Sequence, residues 1–494
     1  MELKSFPSKG LFVELAKDYN VIPVCKTILA DSDTPVSLLR KSFTPGLPLF
    51  LLESVEGGEK FGRFSFLGIS ARYIVKVFKD KIRVSGLNHI DEFEHNNDPF
   101  NALREFSSQF KAAPIKEIEG FYSGLVGYMT YEMISFIEKI PNKLPANEPL
   151  ALFMVPDSML VFDNVSHTVT LVSVAFLEKG SDSATVYNAV LSRLDGIMSV
   201  IESDVPPIER EEISEITGLT PLCEKSDYLE KVEKIKNHIH EGDIIQAVIS
   251  QPFTAPLFFD PVSLYRAQRY INPSPYLFYF QCDDISIAGS SPETMVKVQK
   301  GQATLRPIAG TRPRGSSEQE DRKLADDLLK DEKEKAEHLM LVDLGRNDLG
   351  RIAETGSVQV TDLMFIERYS HVMHLVSNIE CTIKKEMDVW DVIKACFPAG
   401  TLSGAPKVRA MELISKYEDY PRGPYGGAVG YIDFNGNMDF AITIRTAVIK
   451  DNQVIVRAGA GIVADSVPET EYEETINKAK SIERAVNLIG RSLI

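Results

Sequence analysis

An α+β fold, with mainly antiparallel β-sheets carrying helices on their outside, is what three features of this 494-residue sequence predict. Asp283-Asp284, Lys300-Gly301, Asn435-Gly436 and Asp451-Asn452 each lie between two runs rich in β-branched and aromatic residues. Short turns of this kind join antiparallel neighbours. Between the hairpins lie stretches with apolar residues at helical spacing, notably 321–344 and 469–488. Hydrophobic residues make up 44% of the chain and charged residues 25%, a balance that lets it bury a large core and excludes general disorder.

Taken in order, residues 48–54 read as a buried strand, 56–59 as a turn and 64–69 as the returning strand. Ser203-Asp-Val-Pro-Pro-Ile-Glu-Arg-Glu-Glu212 is polar, acidic and carries a Pro-Pro pair, so it is the best linker. It divides the chain into an N-terminal region, 1–202, a linker, 203–225, and a C-terminal region, 226–494. Ser226 is placed to cap a helix with the apolar stripe Leu229, Val232, Ile235 and Ile239, and Gly242 to stop it. Residues 243–253 follow as a strand. The hairpins pair 276–282 with 285–288, 295–298 with 303–306, and 427–433 with 439–448, to which 454–457 adds a third strand. No short-period repeat is present.

The formal net charge of -16 argues against nucleic acid as a partner. An anionic substrate would need a local patch of positive charge inside an acidic molecule. The five cysteines, Cys25, Cys223, Cys282, Cys381 and Cys396, are scattered, with no CxxC pair or zinc spacing. Together with an N-terminus lacking an apolar signal core and the absence of a long apolar run, they predict a cytoplasmic protein without a membrane span.

Two acidic pairs stand at helical spacing: Glu334 with Glu337, and Glu471 with Glu474. Residues three apart share a helix face. If the two faces meet they form a hard-oxygen site suited to Mg2+; two solvated faces are the alternative reading. Pro307-Ile-Ala-Gly-Thr-Arg-Pro-Arg-Gly315 puts basic residues beside a strand end, and Arg457-Ala-Gly-Ala-Gly-Ile462 offers backbone N–H groups to a carboxylate; a pair of tight turns is the alternative reading, and neither is a dinucleotide site or a P-loop. Gly426-Gly-Ala-Val-Gly430 suits close backbone packing within a strand. His374 lies in an apolar context. Arg445 interrupts a half-buried strand, and a buried arginine needs an anion, from the protein or from a ligand. Lys478 is four residues beyond Glu474, the spacing of a helix salt bridge.

Residues 226–488 resemble the chorismate-utilising enzymes and, among them, the large subunits of anthranilate synthase. The resemblance is carried by Pro307 to Gly315, by Glu337-His-Leu-Met-Leu-Val-Asp-Leu-Gly-Arg-Asn-Asp348, by Tyr369 to Ser377, by Gly400-Thr-Leu-Ser-Gly-Ala-Pro-Lys-Val-Arg-Ala410, by Tyr425-Gly-Gly-Ala-Val-Gly-Tyr431, by Ala458-Gly-Ala-Gly-Ile462 and by Glu474-Thr-Ile-Asn-Lys-Ala479. Leu51-Leu-Glu-Ser54 extends it to the N-terminal region. It implies the chorismate-utilising fold and an Mg2+-dependent lyase that converts chorismate and ammonia to anthranilate and pyruvate, the first committed step of tryptophan biosynthesis. It implies Glu337 and Glu474 as metal ligands, with Glu334 and Glu471 behind them. Chorismate would be held by Gly310, Thr311, Tyr425, Arg445, Gly459, Ala460, Gly461 and Lys478. Glu293 is the implied general acid, with a pKa raised by burial, and His374 serves the elimination of pyruvate. Ser54, Pro275, Tyr276 and Leu277 would bind tryptophan as a feedback inhibitor, with the N-terminal region contributing to that site. No glutaminase motif is present, so ammonia is expected from glutamine through a separate amidotransferase subunit, in a heterotetramer of two large and two small subunits.

Two positions bear on the choice within the resemblance. Isochorismate and salicylate synthases place a lysine base where this chain has Gln246. Aminodeoxychorismate synthases commonly carry a lysine nucleophile where it has Ala309. Aminodeoxychorismate synthase component I, of the folate pathway, is the alternative enzyme, and a noncatalytic tryptophan-binding regulator is the alternative of another class.

Overall fold

The turn dipeptides do close hairpins. In the computed structural model, which describes residues 2–54, 62–86, 89–116, 118, 120–207, 218–257, 259–369 and 372–490, Tyr276–Cys282 pairs with Ile285–Ser291 across Asp283, which takes the left-handed φ of 54° that such a turn demands. Thr294–Gln299 pairs with Gln302–Leu305, and Ala428–Asp433 with Met438–Ile442. Leu49–Glu53 pairs with the first half of a long strand, Phe64–Val77. The predicted turn at 56–59 and the distal part of the predicted linker, 208–212, lie outside the described residues.

All strand pairings among the described residues are antiparallel, apart from one parallel bridge between Val21 and Ala112. The sheet runs through both sides of the linker. Leu49–Glu53 pairs with Tyr276–Cys282, and Gly124–Met129 pairs with Ala428–Asp433. The cores are shared in the same way. Leu51, Val126, Leu171 and Leu194 pack with Tyr279, Ala288 and Val429, while Val75, Phe100 and Phe153 pack with Val296, Trp390 and Phe440. No helix among the described residues is long and apolar enough to cross a membrane, and all five cysteines are buried and free.

Several expected boundaries differ. The helix over 225–240 starts one residue before Ser226, and its cap position, Glu224, makes no side-chain hydrogen bond. Ser226 therefore lies inside the helix, and Tyr228 joins Val232 and Ile235 on the buried face. Gly242 follows the helix with φ 83°, and the next strand is Gln246–Pro256. The single helix expected over 321–344 is two, Glu318–Lys330 and Glu332–Gly350. Asp331 separates them because its carboxylate accepts the N–H groups of Lys333 and Glu334 and so caps the second. The strand expected over 439–448 breaks into Met438–Ile442 and Thr446–Lys450. Residues 457–462 form no turn: they complete the strand Gln453–Ile462, paired along its length with Gln246–Pro256.

Candidate active site

Glu293 lies between the strands Ile285–Ser291 and Thr294–Gln299. Its carbonyl accepts the Ile442 N–H at 3.0 Å, and the hydroxyl of the neighbouring Ser291 donates to the Ile442 carbonyl at 2.6 Å. This fixes the side chain against the end of the Met438–Ile442 strand. The carboxyl is buried, and one oxygen accepts a hydrogen bond from Thr401 Oγ1 at 2.9 Å. Burial pushes its pKa up, while Thr401, Arg445 and Lys478 pull it back; the result is about 8. At neutral pH Glu293 therefore keeps its proton.

Arg445 sits in the break after Met438–Ile442, with φ 49°, a left-handed backbone that costs a non-glycine residue energy and clusters at functional sites. Burial disfavours its charge, with Glu293 acting in the opposite direction. Among the described residues the guanidinium has no hydrogen-bond or ion-pair partner. It is thus available to an anion from outside the protein.

Gly310 forms a bulge in the strand Ile308–Pro313, with φ 63°. A Cβ there would lie 2.8 Å from Leu328 and 3.0 Å from a Glu334 carboxylate oxygen, so only glycine fits. Its carbonyl lies 3.0 Å from His374 Nδ1, with Thr311 Oγ1 3.1 Å from the same nitrogen. A carbonyl only accepts, so Nδ1 carries the hydrogen and Nε2 keeps its lone pair. Burial lowers the pKa of His374, and nearby Arg445 adds to this. Arg445 thus influences both Glu293 and His374.

The two acidic pairs lie within electrostatic reach of each other. Burial raises the pKa of Glu337, reinforced by the like charges of Glu334 and Glu474. Glu471 is raised by burial and by Glu474, with Ser466 opposing, and both Glu337 and Glu471 feel Lys333. The charges on the helices Glu332–Gly350 and Pro468–Gly490 thus influence one another. Arg312 and Arg314, the basic residues of the 307–315 segment, do not supply the local positive charge. Arg312 is bound by Asp327, Asp331 and Glu334, and Arg314 by Asp321. Among the described residues the tight acidic-and-histidine group is instead His238, Glu241 and Asp243. Both nitrogens of His238 are engaged there, by Asp243 and by Tyr417, and Asp243 also pairs with Arg409, which leaves it poorly suited to a metal.

Lys478 joins the regions. Its ammonium pairs with Glu474 at 2.7 Å and donates to the Gly459 carbonyl at 2.8 Å, and its charge reaches Glu293 and Glu337. The Gly459-Ala460-Gly461 run is bare for a steric reason. A Cβ on Gly459 would lie 2.9 Å from the Tyr425 hydroxyl, and one on Gly461 would lie 2.8 Å from Gln246 Nε2. Buried Tyr425 thus lies against the glycine strand, and burial raises its pKa to about 12. Gly427 and Gly430 allow the close packing expected of their segment, since Cβ atoms there would come within 2.0 Å of the Met129 and Asp439 carbonyl oxygens.

Ser54, Pro275, Tyr276 and Leu277 gather elsewhere, in the wall of a cavity of about 890 Å³ between the N-terminal and C-terminal strands. Arg63, Lys116, Tyr431 and Asp439 line it too, none of them singled out by sequence. Thr401 and Arg422 were also missed. Both lie inside or beside segments that carry the family resemblance, Gly400 to Ala410 and Tyr425 to Tyr431, but only three-dimensional contacts give them a role.

An antiparallel fold that brings a protonated carboxyl, a guanidinium with no ion-pair partner among the described residues and two glutamate pairs within electrostatic reach fits the class of chorismate-binding enzymes, whose family model matches residues 50–484. Anthranilate synthase component 1 of Pseudomonas aeruginosa is 44% identical over 98% of this chain and 99% of its own. That of Aquifex aeolicus is 42% identical over 97% of each. The crystal structure of anthranilate synthase component I from Streptococcus pneumoniae superposes with a TM-score of 0.76 at 38% identity, covering 87% of this chain and 95% of that one. The menaquinone-specific isochorismate synthase of Escherichia coli shares the fold, with a TM-score of 0.68 at 19% identity over 97% of this chain and 98% of that one. The chain belongs to the chorismate-binding enzymes and, within them, to the anthranilate synthase component 1 family.

Proposed function

We propose that the chain converts chorismate and ammonia to anthranilate and pyruvate, the first committed step of tryptophan biosynthesis. The observation that carries this reading is the protonated Glu293 carboxyl beside a buried guanidinium with no anion of its own among the described residues. Arg445, aided by the Tyr425 hydroxyl, grips the enolpyruvyl carboxylate, and Lys478 with the glycine strand helps to receive the ring carboxylate. The chemistry of the facing glutamates suits a hard divalent cation: Glu337 and Glu474 would hold Mg2+, with Glu334 and Glu471 behind them. When bound, the ion neutralises the ring carboxylate and fixes the ring's orientation. Ammonia forms the new C–N bond at C2 as the double bonds shift and the C4–O bond breaks. Hydroxide is a poor leaving group, and Glu293 delivers the proton that lets it depart as water. His374 Nε2 is placed to take the C2 proton while the enolpyruvyl C–O bond breaks; the departing enolpyruvate gains a proton to become pyruvate, and the aromatic ring is left. Gln246 and Ala309 offer neither a lysine base nor a lysine nucleophile, which favours attack by free ammonia at C2.

Ammonia would come from glutamine through a separate amidotransferase subunit, in a heterotetramer of two large and two small subunits. Tryptophan would inhibit from the cavity lined by Ser54, Pro275, Tyr276 and Leu277. A reducing cytoplasm fits the five free thiols. The test is incubation of the pure chain with chorismate, Mg2+ and an ammonium salt at mildly alkaline pH. Fluorescent anthranilate is expected. Formation of 4-amino-4-deoxychorismate would assign the folate-pathway reaction instead, and glutamine-dependent turnover by the chain alone would overturn the partner subunit.

A further inference from the structure

Behind the site lies a charged cluster that the mechanism above does not use. Arg422 is buried, and its guanidinium is fully engaged. Nε and Nη2 grip the two oxygens of Glu418 at 2.9 and 2.8 Å. Nη1 donates to the Leu402 carbonyl at 2.6 Å and Nη2 to the Val248 carbonyl at 2.8 Å. Its carbon lies 4.4 Å from the Tyr131 ring centroid and 5.8 Å from that of Tyr425. Glu418 also binds Arg457 and accepts from both the N–H and the hydroxyl of Ser250. Burial alone would raise its pKa, but Arg422 and Arg457 outweigh it and hold it near 2. The N–H groups of Arg422 and Gly423 are held in turn by Glu132.

A buried ion cluster is weak evidence for a role in stability, since well-packed apolar residues of similar volume often serve as well. Its contacts show what it holds. Leu402 follows Thr401, the residue that hydrogen-bonds Glu293. The same short 3-10 turn is tied to the Gln246–Pro256 strand by Val248 N–H to the Ser403 carbonyl at 2.9 Å. We propose that Arg422 is a positioning residue for the reaction: by clamping the Leu402 and Val248 carbonyls it fixes the turn that aims the Thr401 hydroxyl at the acid Glu293. This rests on the reading of Glu293 as the general acid.

The readout is the alkaline limb of the rate profile. The charged groups that reach Glu293 are Arg445 and Lys478, and across a small cavity it also shares walls with Arg306, Asp348 and Cys396; none of these is altered in the test. The Thr401 hydrogen bond pulls the Glu293 pKa down, so loosening it should carry the limb to higher pH. Arg422→Lys and Thr401→Val should each move the limb upward and lower kcat about tenfold or more. Combining them should cost no more than about twofold beyond the worse single variant. Tyr131→Leu, which removes only the ring stacked on the guanidinium, should move the limb in the same direction by less, and it decides the matter if Arg422→Lys does not fold. An unmoved limb in the variants, or single costs that multiply in the double variant, would overturn the proposal. The wild-type chain in the same assay separates this from the parent reading: anthranilate from wild type with an unmoved limb sinks only the role of Arg422, whereas no anthranilate from wild type sinks the function itself.

Discussion

At the residue scale the site turns on one proton. Glu293 has a folded-state pKa of about 8 against an ordinary value of 4.5, so the folded chain binds the proton more tightly than the unfolded one. The stabilisation this gives is complete below about pH 4.5 and fades as pH rises towards 8. The acid form is also the one the proposed reaction uses, so the rate should fall as pH passes about 8. Glu293→Gln removes both dependences. Turnover should drop by about 100-fold or more, while thermal denaturation between pH 5 and 9 should show the variant losing less stability than wild type; equal pH slopes would count against the raised pKa. His374 was legible in the sequence because it lies in the family segment Tyr369 to Ser377, Arg445 because it interrupts a half-buried strand, and Glu293 through the family resemblance at its own position. Thr401 and Arg422 were not, because a threonine or an arginine acquires a role only from the group it reaches, and those groups are 108 and 20 residues away in the chain.

At the element scale, the helices Glu332–Gly350 and Pro468–Gly490 bring like charges close enough to raise the pKa values of Glu337 and Glu471. Removing one should therefore relieve repulsion. Glu337→Ala and Glu474→Ala should be at least as heat-stable as wild type in EDTA, should lack the rise in Tm that the proposed site predicts for the wild-type chain with Mg2+, and should lose turnover. A rise in Tm as large as that of wild type in either variant would refute the ligand assignment. Strand packing gives a second prediction: Gly430→Ala sets a Cβ 2.0 Å from the Asp439 carbonyl oxygen and should destabilise the fold by about 3 kcal/mol or more in chemical denaturation. Hairpins were readable because their turns have a local chemistry. The helix break at Asp331 was not, because apolar periodicity continues on both sides and the capping carboxylate looks like one more surface acid. The glycine run at 457–462 misled for the opposite reason: its glycines make room for Tyr425 and Gln246, not for a bend.

At the scale of the whole molecule, the cavity holding Ser54 and Tyr276 is built from strands on both sides of the linker. A ligand there would tighten the seam. Tryptophan at about 100 times its Kd should stabilise the chain by about 2.7 kcal/mol, and Ser54→Arg, which fills part of the cavity, should abolish that rise in Tm; an unchanged rise would place the inhibitor elsewhere. Sequence supplied the two regions but not their interleaving, because strand partners are chosen by shape and register and leave no local mark. The pairing of Gly124–Met129 with Ala428–Asp433 joins segments some 300 residues apart. A ribosome needs about 15–60 s to make that much chain. For that interval the nascent N-terminal half exposes an unpaired edge to its surroundings, so heat stress or chaperone depletion should cut the yield of new protein far more than it harms enzyme already made.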